Sequence, residues 1–148
     1  MPGRKRKAAR GGPGLAERIG RLAGELAARE EEALRPLGLG RSQVRQLSEL
    51  LKAPRLSASE LARRVDHAPQ SVASSVAQLE SRGWLRRAPH PVHRRLVELS
   101  VTPAGRRVLG RAQGVLARVE AASVVGFPVS RRRALVRLLG EWDTALAR

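Results

Sequence analysis

The sequence contains no cysteine among its 148 residues. This excludes a disulfide framework, a thiolate zinc site and cysteine-based redox sensing, and it favours an intracellular location. No uninterrupted apolar run approaches the roughly 18 residues of a membrane span, which excludes a transmembrane protein. The basic N-terminus also lacks the apolar segment of a secretory signal. The length indicates one compact domain of the usual size, about 100 to 200 residues.

Acidic residues are scarce relative to basic ones. The chain has 29 lysines and arginines against 13 acidic residues, a formal net charge of +16. Such a surplus attracts polyanions, of which nucleic acid is the most abundant inside a cell. Codon bias in a GC-rich genome explains why 26 of the 29 basic residues are arginine, but it does not explain the surplus. Nucleic-acid binding is therefore the leading class, and a merely solvated cationic surface is the alternative.

The sequence offers no constellation for catalysis or metal binding. It has no glycine-rich phosphate loop, no nucleophile with an adjacent base and no pair of acids on a predicted pocket. Glu30 to Glu32 is most simply a solvated helix turn. His67, His90 and His93 fall on predicted loops, without an acidic or cysteine partner at ligand spacing. We expect no enzyme, no metal site and no cofactor.

Residues 1–14 hold five basic residues among glycine and proline, with nothing to bury. The composition predicts a disordered basic tail. Disordered cations neutralise phosphates but hold no fixed pose against base edges. The tail is therefore expected to add affinity for DNA without specificity.

Apolar residues at helical spacing predict a first helix over residues 15–34 and a second over about residues 41–53. Pro36 stops the first. Gly20 and Gly24 lie on the face opposite the apolar stripe of the first helix. Because each costs about 1 kcal/mol relative to alanine, either that face packs closely against a partner or the helix is weak, and close packing is favoured.

Two short helices follow. Ser57 and Glu60 have the spacing of a capping box, which predicts the start of a third helix. A turn over residues 66–69 leads into a fourth helix, which Gly83 ends as a left-handed cap. The buried stripe of this helix is Val72, Val76 and Leu79. Two short helices joined by a tight turn predict a helix-turn-helix.

The periodicity changes after Gly83. Val97, Leu99 and Val101 alternate on one face, which predicts the second strand of a two-stranded hairpin. Thr102 before a proline caps a long fifth helix, and a sixth carries a last apolar stripe. The predicted fold is mostly α (α+β): a winged helix-turn-helix with a two-stranded wing and extra N- and C-terminal helices.

The exposed face of the fourth helix is polar and uncharged until its end. Its candidates for DNA contact are Gln70, Ser71, Ser74, Gln78 and Arg82. Glutamine bonds bidentately to adenine, and serine lets the backbone approach bases or phosphates, so the face suits a major groove. A solvated helix face rich in serine is the alternative.

The hairpin supplies the remaining candidates for DNA contact, Arg86, Arg87, His93, Arg94 and Arg95. Its last two arginines follow two prolines in a short turn. Such a tip reaches a minor groove, where negative potential attracts arginine. For the first two, phosphate contact and plain solvation both remain open, and His93 is either a DNA-proximal cation or a turn residue.

A wider set of residues matches one family in identity and spacing. The set comprises Leu61, Ala62, Pro69, Val72, Val76, Leu79, Glu80, Arg82, Gly83, Leu85, Arg87, Pro89, Pro91, Arg94, Arg95, Leu99, Thr102, Pro103, Ala104 and Gly105. On these residues the chain resembles the multiple-antibiotic-resistance-regulator (MarR) family of bacterial transcription factors over about residues 15–148. The spacing from Leu79 to Gly105 is the most specific part, because a generic winged helix does not share it.

The resemblance implies a homodimer in which residues 15–40 and 103–148 form the dimerisation helices and residues 41–102 the DNA-binding part. The apolar stripes of the terminal helices assign dimerisation to Leu15, Ile19, Leu22, Leu26, Leu135, Leu139 and Trp142. Such proteins usually repress genes by binding palindromic double-stranded DNA in the cytoplasm, on the nucleoid. Many release DNA when a small, often aromatic or phenolic ligand occupies a pocket between the two parts. The sequence does not identify residues of such a pocket.

Three positions depart from the family pattern. His93 replaces an acid beside the wing arginines, Ala68 replaces a serine cap, and Ser74 replaces an arginine on the fourth helix. Wing geometry and base specificity are therefore open. Two other functions compete with that of a regulator: an architectural or nonspecific DNA-binding protein, and a winged-helix protein-interaction module.

Overall fold

The computed structural model describes residues 14–90, 92 and 97–147. Its elements are α1 (Leu15–Leu34), α2 (Arg41–Lys52), α3 (Ala58–Val65), α4 (Pro69–Ser81), β1 (Leu85–Pro89), β2 (Val97–Val101), α5 (Pro103–Ser123) and α6 (Val129–Leu146). A 3-10 turn, Arg35–Leu37, follows α1. This confirms the predicted winged helix-turn-helix with extra terminal helices. Gly14 is the N-cap of α1, and the rest of the predicted tail lies outside the described residues.

The ends of the helices follow the chemistry of their caps. Ser57 Oγ accepts from the backbone N–H of Glu60 at 3.3 Å, and the Glu60 carboxylate accepts from the backbone N–H of Ser57 at 2.8 Å. Thr102 Oγ1 accepts from the backbone N–H of Gly105 at 3.0 Å. Gly83 ends α4 with φ +69°, a conformation that favours glycine. Each predicted cap is confirmed.

The apolar core lies mainly within residues 41–102, which hold twelve of its seventeen buried residues. Its buried residues are Leu34, Leu39, Val44, Leu47, Leu50, Leu56, Leu61, Ala62, Val65, Val72, Val76, Leu79, Leu85, Leu99, Val108, Leu109 and Ala112. The last residue of α1 and the first half of α5 complete it, whereas α6 contains no buried residue. The terminal helices are therefore only partly covered within one chain.

The wing is an antiparallel pair in which Leu85 lies opposite Val101 and Pro89 opposite Val97. Leu56 forms a one-residue antiparallel bridge with β2, because the backbone N–H of Leu99 donates to the carbonyl of Leu56 at 2.8 Å. The predicted hairpin is confirmed, but the Leu56 bridge was not predicted. One paired residue leaves no periodicity in the sequence.

Glu30 and Glu31 join α1 to the start of α2. The assignment to a solvated helix turn is wrong for Glu30, whose side chain is 17% exposed, whereas Glu31 and Glu32 are exposed. Glu30 pairs with Arg41 at 2.5 Å between carboxylate oxygen and Nε. Glu31 accepts from the backbone N–H of Arg41 at 3.1 Å, which satisfies an orphan donor at the N-terminus of α2. The turn after α1 brings these residues together, and sequence periodicity carries no information about that reversal.

Gly20 and Gly24 lie on an exposed face of α1. A Cβ atom at either position would meet no heavy atom within 4 Å. The expected close packing is therefore absent within the described part of one chain. No helix in that part is long and apolar enough to span a membrane.

Candidate nucleic-acid interface

Helix α4 presents a polar face to solvent and an apolar face to the core. Gln70, Ser71, Ser74 and Gln78, the predicted DNA-contacting residues of this helix, are all exposed. The opposite stripe of Val72, Val76 and Leu79 is fully buried. Because three core side chains fix the rotation of the helix, its polar face has a defined orientation.

Two buried glutamines of α2 fix α4 further, and sequence reasoning missed both. Gln46, only 1% exposed, accepts from Ser75 Oγ at 2.7 Å. Gln43 donates through Nε2 to Oε1 of Gln78 at 3.0 Å. The available signal was their position: both glutamines fall beside Val44 and Leu47, within the buried face of α2. A polar residue inside an apolar stripe needs a hydrogen-bond partner.

The polar contacts continue beyond Gln46 toward the turn between α3 and α4. Gln46 Nε2 donates to Ser42 Oγ at 3.2 Å, and this oxygen lies 3.2 Å from Nδ1 of His67. Among the described residues, every buried side-chain nitrogen and oxygen has a hydrogen-bond partner. The helix-turn-helix is therefore held by an apolar core and by a satisfied polar network.

Arg82 turns toward the protein body. Its guanidinium donates to the carbonyl of Gly38 and lies over the ring of Trp84, 5.1 Å from the ring centroid. The second contact is a cation–π interaction. In this conformation Arg82 braces the end of α4 instead of extending from its polar face.

The wing arginines occupy different settings. Arg87 Nε donates to the carboxylate of Glu80 at 2.9 Å, with both side chains about 40% exposed. Arg86 is exposed on the other face of β1, opposite Ser100. The predicted contacts His93, Arg94 and Arg95 lie outside the described residues.

A buried carboxylate was not predicted in the wing. Glu98, 7% exposed, lies 3.3 Å from Nε2 of His90 and 3.8 Å from Nε of Arg55. The expectation that the histidines lack an acidic partner is therefore wrong for His90, because hairpin register brings residues eight apart together. Across the described ranges, no three His, Cys, Asp or Glu residues form a cluster that suits a metal ion.

Positive charge lies on the elements that contact α4 and not on α4 itself. The helix has no basic residue of its own. Arginines on neighbouring elements are Arg41, Arg45, Arg63, Arg64, Arg86 and Arg87. The outward face of α4 that holds Gln70, Ser74 and Gln78 is polar, and its one acid, Glu80, is paired with Arg87. Cations on the neighbouring elements can hold phosphates while this face meets base edges, and duplex binding requires both. The geometry defines a winged helix-turn-helix DNA-binding protein.

Comparisons with known proteins narrow this class. Residues 37–96 match the model of the MarR family. The chain is 30% identical over 107 residues to the HTH-type transcriptional repressor Rv2887 of Mycobacterium tuberculosis, covering 72% of this chain and 77% of that protein. The chain belongs to the MarR family of DNA-binding transcriptional regulators, which are not enzymes.

Solved structures agree with the assignment. The crystal structure of the Mycobacterium tuberculosis MarR family protein Rv2887 in complex with salicylic acid has a TM-score of 0.73 and 27% identity, covering 88% of this chain and 97% of that one. Wild-type MarR from E. coli in its apo form has a TM-score of 0.79 over 88% of this chain and 98% of that one. At 18% identity, this second likeness shows the fold alone.

Proposed function

We propose that this protein is a repressor that binds a palindromic operator as a homodimer and releases it when a small molecule binds. The observation that carries the proposal is the exposed, uncharged polar face of α4, fixed on a helix-turn-helix by Val72, Val76 and Leu79. A nonspecific DNA-binding protein gains little from such a face, because cations alone supply nonspecific affinity.

In the proposed complex α4 lies in the major groove and the wing in the adjacent minor groove. Gln70, Ser71, Ser74 and Gln78 would contact base edges or nearby phosphates. Arg86 and Arg87, with His93, Arg94 and Arg95, would contact phosphates or the minor groove. Arg82 would have to leave Gly38 and Trp84 before it touched DNA. Such a regulator acts in the cytoplasm, on the nucleoid.

The homodimer is proposed from the terminal helices. On α6, Leu135 and Leu139 are more than 40% exposed, and no residue of its eighteen is buried. On α1, Leu15 and Leu22 are more than half exposed. Ile19, Leu26 and Trp142 are intermediate. Apolar stripes of this extent need a partner, and a two-fold dimer would place two α4 helices about 34 Å apart, one turn of DNA.

The proposed effector site is a cavity of about 320 Å³ between the dimerisation helices and the helix-turn-helix. It is lined by Glu30, Arg41, Ser42, Val44, Arg45, His67 and Leu116. Arginines and apolar side chains together suit a small aromatic carboxylate. Salicylic acid, which the similar Rv2887 structure contains, has this chemistry.

Occupancy of this cavity would affect α4 through a chain of hydrogen bonds. Ser42 lines the cavity and accepts from Gln46, which holds Ser75 of α4. Arg41 also lines the cavity, and it is the α2 residue that pairs with Glu30 and donates its backbone N–H to Glu31. An anion that competed with Glu30 for Arg41 would therefore disturb the start of α2 and its hold on α4.

Selection from a randomised duplex pool, followed by salt titration, tests DNA binding. We expect the selected sequence to be a palindrome that binds at least about a thousandfold more tightly than its scrambled version at physiological salt. A ratio near one at all salt concentrations would identify an architectural protein. Binding to neither duplex would identify a protein-interaction module.

A second titration tests the effector. Salicylate is expected to weaken operator binding by the wild-type protein and to do so at higher concentration in Arg45→Gln, which removes one cation from the cavity. Benzyl alcohol, which has the ring but no carboxylate, is the control ligand. Equal effects of salicylate on both proteins would contradict this location of the site.

A further inference from the structure

Gln78 is oriented by a chain of two hydrogen bonds that begins at a backbone amide. The N–H of Gly40, at the N-cap of α2, donates to Oε1 of Gln43 at 3.1 Å. Nε2 of Gln43 donates to Oε1 of Gln78 at 3.0 Å. Gln43 is 9% exposed, whereas Gln78 lies exposed on α4. The two hydrogen bonds thus connect a fixed backbone donor, through the buried Gln43 side chain, to the candidate DNA surface.

The first donor determines the orientation of both amides. The oxygen and nitrogen of a glutamine amide are assigned from their hydrogen-bond partners. A backbone N–H only donates, so the atom of Gln43 that faces Gly40 must be the oxygen. The nitrogen of Gln43 then faces Gln78, and the facing atom of Gln78 must be its oxygen. The NH₂ group of Gln78 is left to face outward.

We infer that Gln43 makes Gln78 a specificity-determining residue that selects bases with an acceptor on the major-groove edge. This inference rests on the proposed function, in which α4 enters that groove. Guanine offers N7 and O6 and thymine offers O4, whereas cytosine offers only a donor. The bidentate pair with adenine needs the amide oxygen as well, and in this orientation that oxygen faces Gln43 instead of the groove. Gln78 should therefore favour guanine or thymine over cytosine.

The substitution Gln43→Glu tests this by reversing the polarity of Gln78. A glutamate at this position still accepts from the Gly40 N–H, and glutamate is favoured at this place in a capping box. Its carboxylate donates nothing, so Gln78 must turn its NH₂ group inward and its oxygen outward. The favoured bases should become cytosine and adenine, which carry an amino donor on the major-groove edge.

The experiment uses the full chain and the selected operator, with all four bases tested in turn at each position of one half-site. Gln78→Ala first identifies the position, as the one where discrimination falls. There we expect the wild-type protein to prefer guanine or thymine over cytosine by about three- to tenfold, the range of one hydrogen bond. Gln43→Glu should reverse that ratio by a similar factor. The added negative charge weakens binding to all duplexes alike, so the charge by itself cannot cause the reversal of the ratio.

Gln43→Met is the second variant, because it keeps the length of the side chain and removes both hydrogen bonds. It should bring the ratio close to one. Circular dichroism confirms that each variant retains its helices. The inference is overturned if Gln78→Ala changes no position, or if both Gln43 variants keep the wild-type preference. Failure of the proposed function is distinguishable, since no duplex would then be preferred by the wild-type protein.

Discussion

The DNA-binding part and the terminal helices bury their apolar residues differently. Within residues 41–109, helical stripes meet one another, and leucines such as Leu47 and Leu79 are fully buried. On α6, equally regular stripes leave Leu139 42% exposed and Leu146 72% exposed. The first part completes its core within one chain. The second leaves apolar surface exposed, and this surface is the basis of the proposed dimer.

Polar groups show the same contrast. In the DNA-binding part the buried amides of Gln43 and Gln46 are paired with α4. On α1 and α6 the ion pairs Arg21–Glu25 and Arg137–Glu141 are exposed and one helical turn apart. Exposed pairs of this kind contribute little stability. The polar residues around α4 therefore find their partners within one chain, whereas the terminal helices carry exposed ion pairs and the apolar surface from which the homodimer is proposed.

The substitution Leu139→Glu is expected to have the largest effect, because it breaks the proposed partner surface. Burial of a leucine contributes about 1.5–3 kcal/mol, and a two-fold interface contains the change twice. The dimer dissociation constant should rise by at least about a hundredfold, which light scattering or sedimentation measures. Operator affinity should fall with it.

Ser130→Glu is the matched control, since it adds the same charge to α6 about 180° from Leu139 around the helix. It should remain a dimer. A wild-type mass of 16.1 kDa at micromolar concentration would refute the dimer itself. A dimeric Leu139→Glu would place the interface on another face.

Gly105→Ala tests how tightly the core is packed where α5 begins. A Cβ atom there would overlap the carbonyl oxygen of Trp84 and lie 2.9 Å from Cγ1 of Val101. Backbone cannot yield as a flexible side chain does, so we expect about 1–3 kcal/mol of destabilisation in urea unfolding. Gly110→Ala, on the same helix with no atom within 4 Å, should stabilise by up to about 1 kcal/mol. Equal effects would show that the core is loosely packed at Gly105.

Ala68→Ser tests the missing side-chain cap at the start of α4. Ala68 is the N-cap of α4 and makes no side-chain cap bond, whereas Ser57 caps α3. A serine hydroxyl would satisfy an orphan N–H and raise thermal stability by about 1 kcal/mol. Ser57→Ala should lower it by a similar amount. If Ala68→Ser changed nothing, the first turn of α4 would already be satisfied in another way.

Glu60→Gln is expected to have the smallest effect, visible as a dependence on pH. The hydrogen bond from the Ser57 hydroxyl, followed by that from its backbone N–H, lowers the pKa of the Glu60 carboxyl below 4.5. A carboxyl whose folded pKa is lowered stabilises the protein above its unfolded pKa, and this contribution is lost as pH falls through the folded pKa. The wild-type protein should therefore exceed Glu60→Gln in stability at pH 7, with the difference shrinking below pH 4.5.

Glu49→Gln supplies the control for that experiment. The hydrogen bond from Lys52 is the main cause that lowers the pKa of Glu49, so its contribution should weaken with added salt. The contribution of Glu60 comes mainly from neutral donors and should resist salt. A pH-independent difference between the wild-type protein and Glu60→Gln would mean that the capping box contributes only packing.

Local signals in the sequence predicted the six α-helices and the two strands of the described residues. Ser57 with Glu60, Gly83, and Thr102 before a proline mark ends that depend only on a few neighbouring residues. The apolar stripe of α4 likewise predicted its buried face, and therefore which glutamines and serines are exposed. Local capping and periodicity do not depend on what the rest of the chain does.

The long-range partners of polar and charged side chains depend on how the elements pack, and the sequence did not predict them. Glu30 meets Arg41 because the chain reverses after α1, Glu98 meets His90 across the hairpin, and Arg82 turns back onto Gly38. Gln43 and Gln78, thirty-five positions apart, meet where α2 packs beside α4. Hydrogen bonds and ion pairs act over a few ångströms, so they are set by which elements pack together, and that arrangement has no local signature in the sequence.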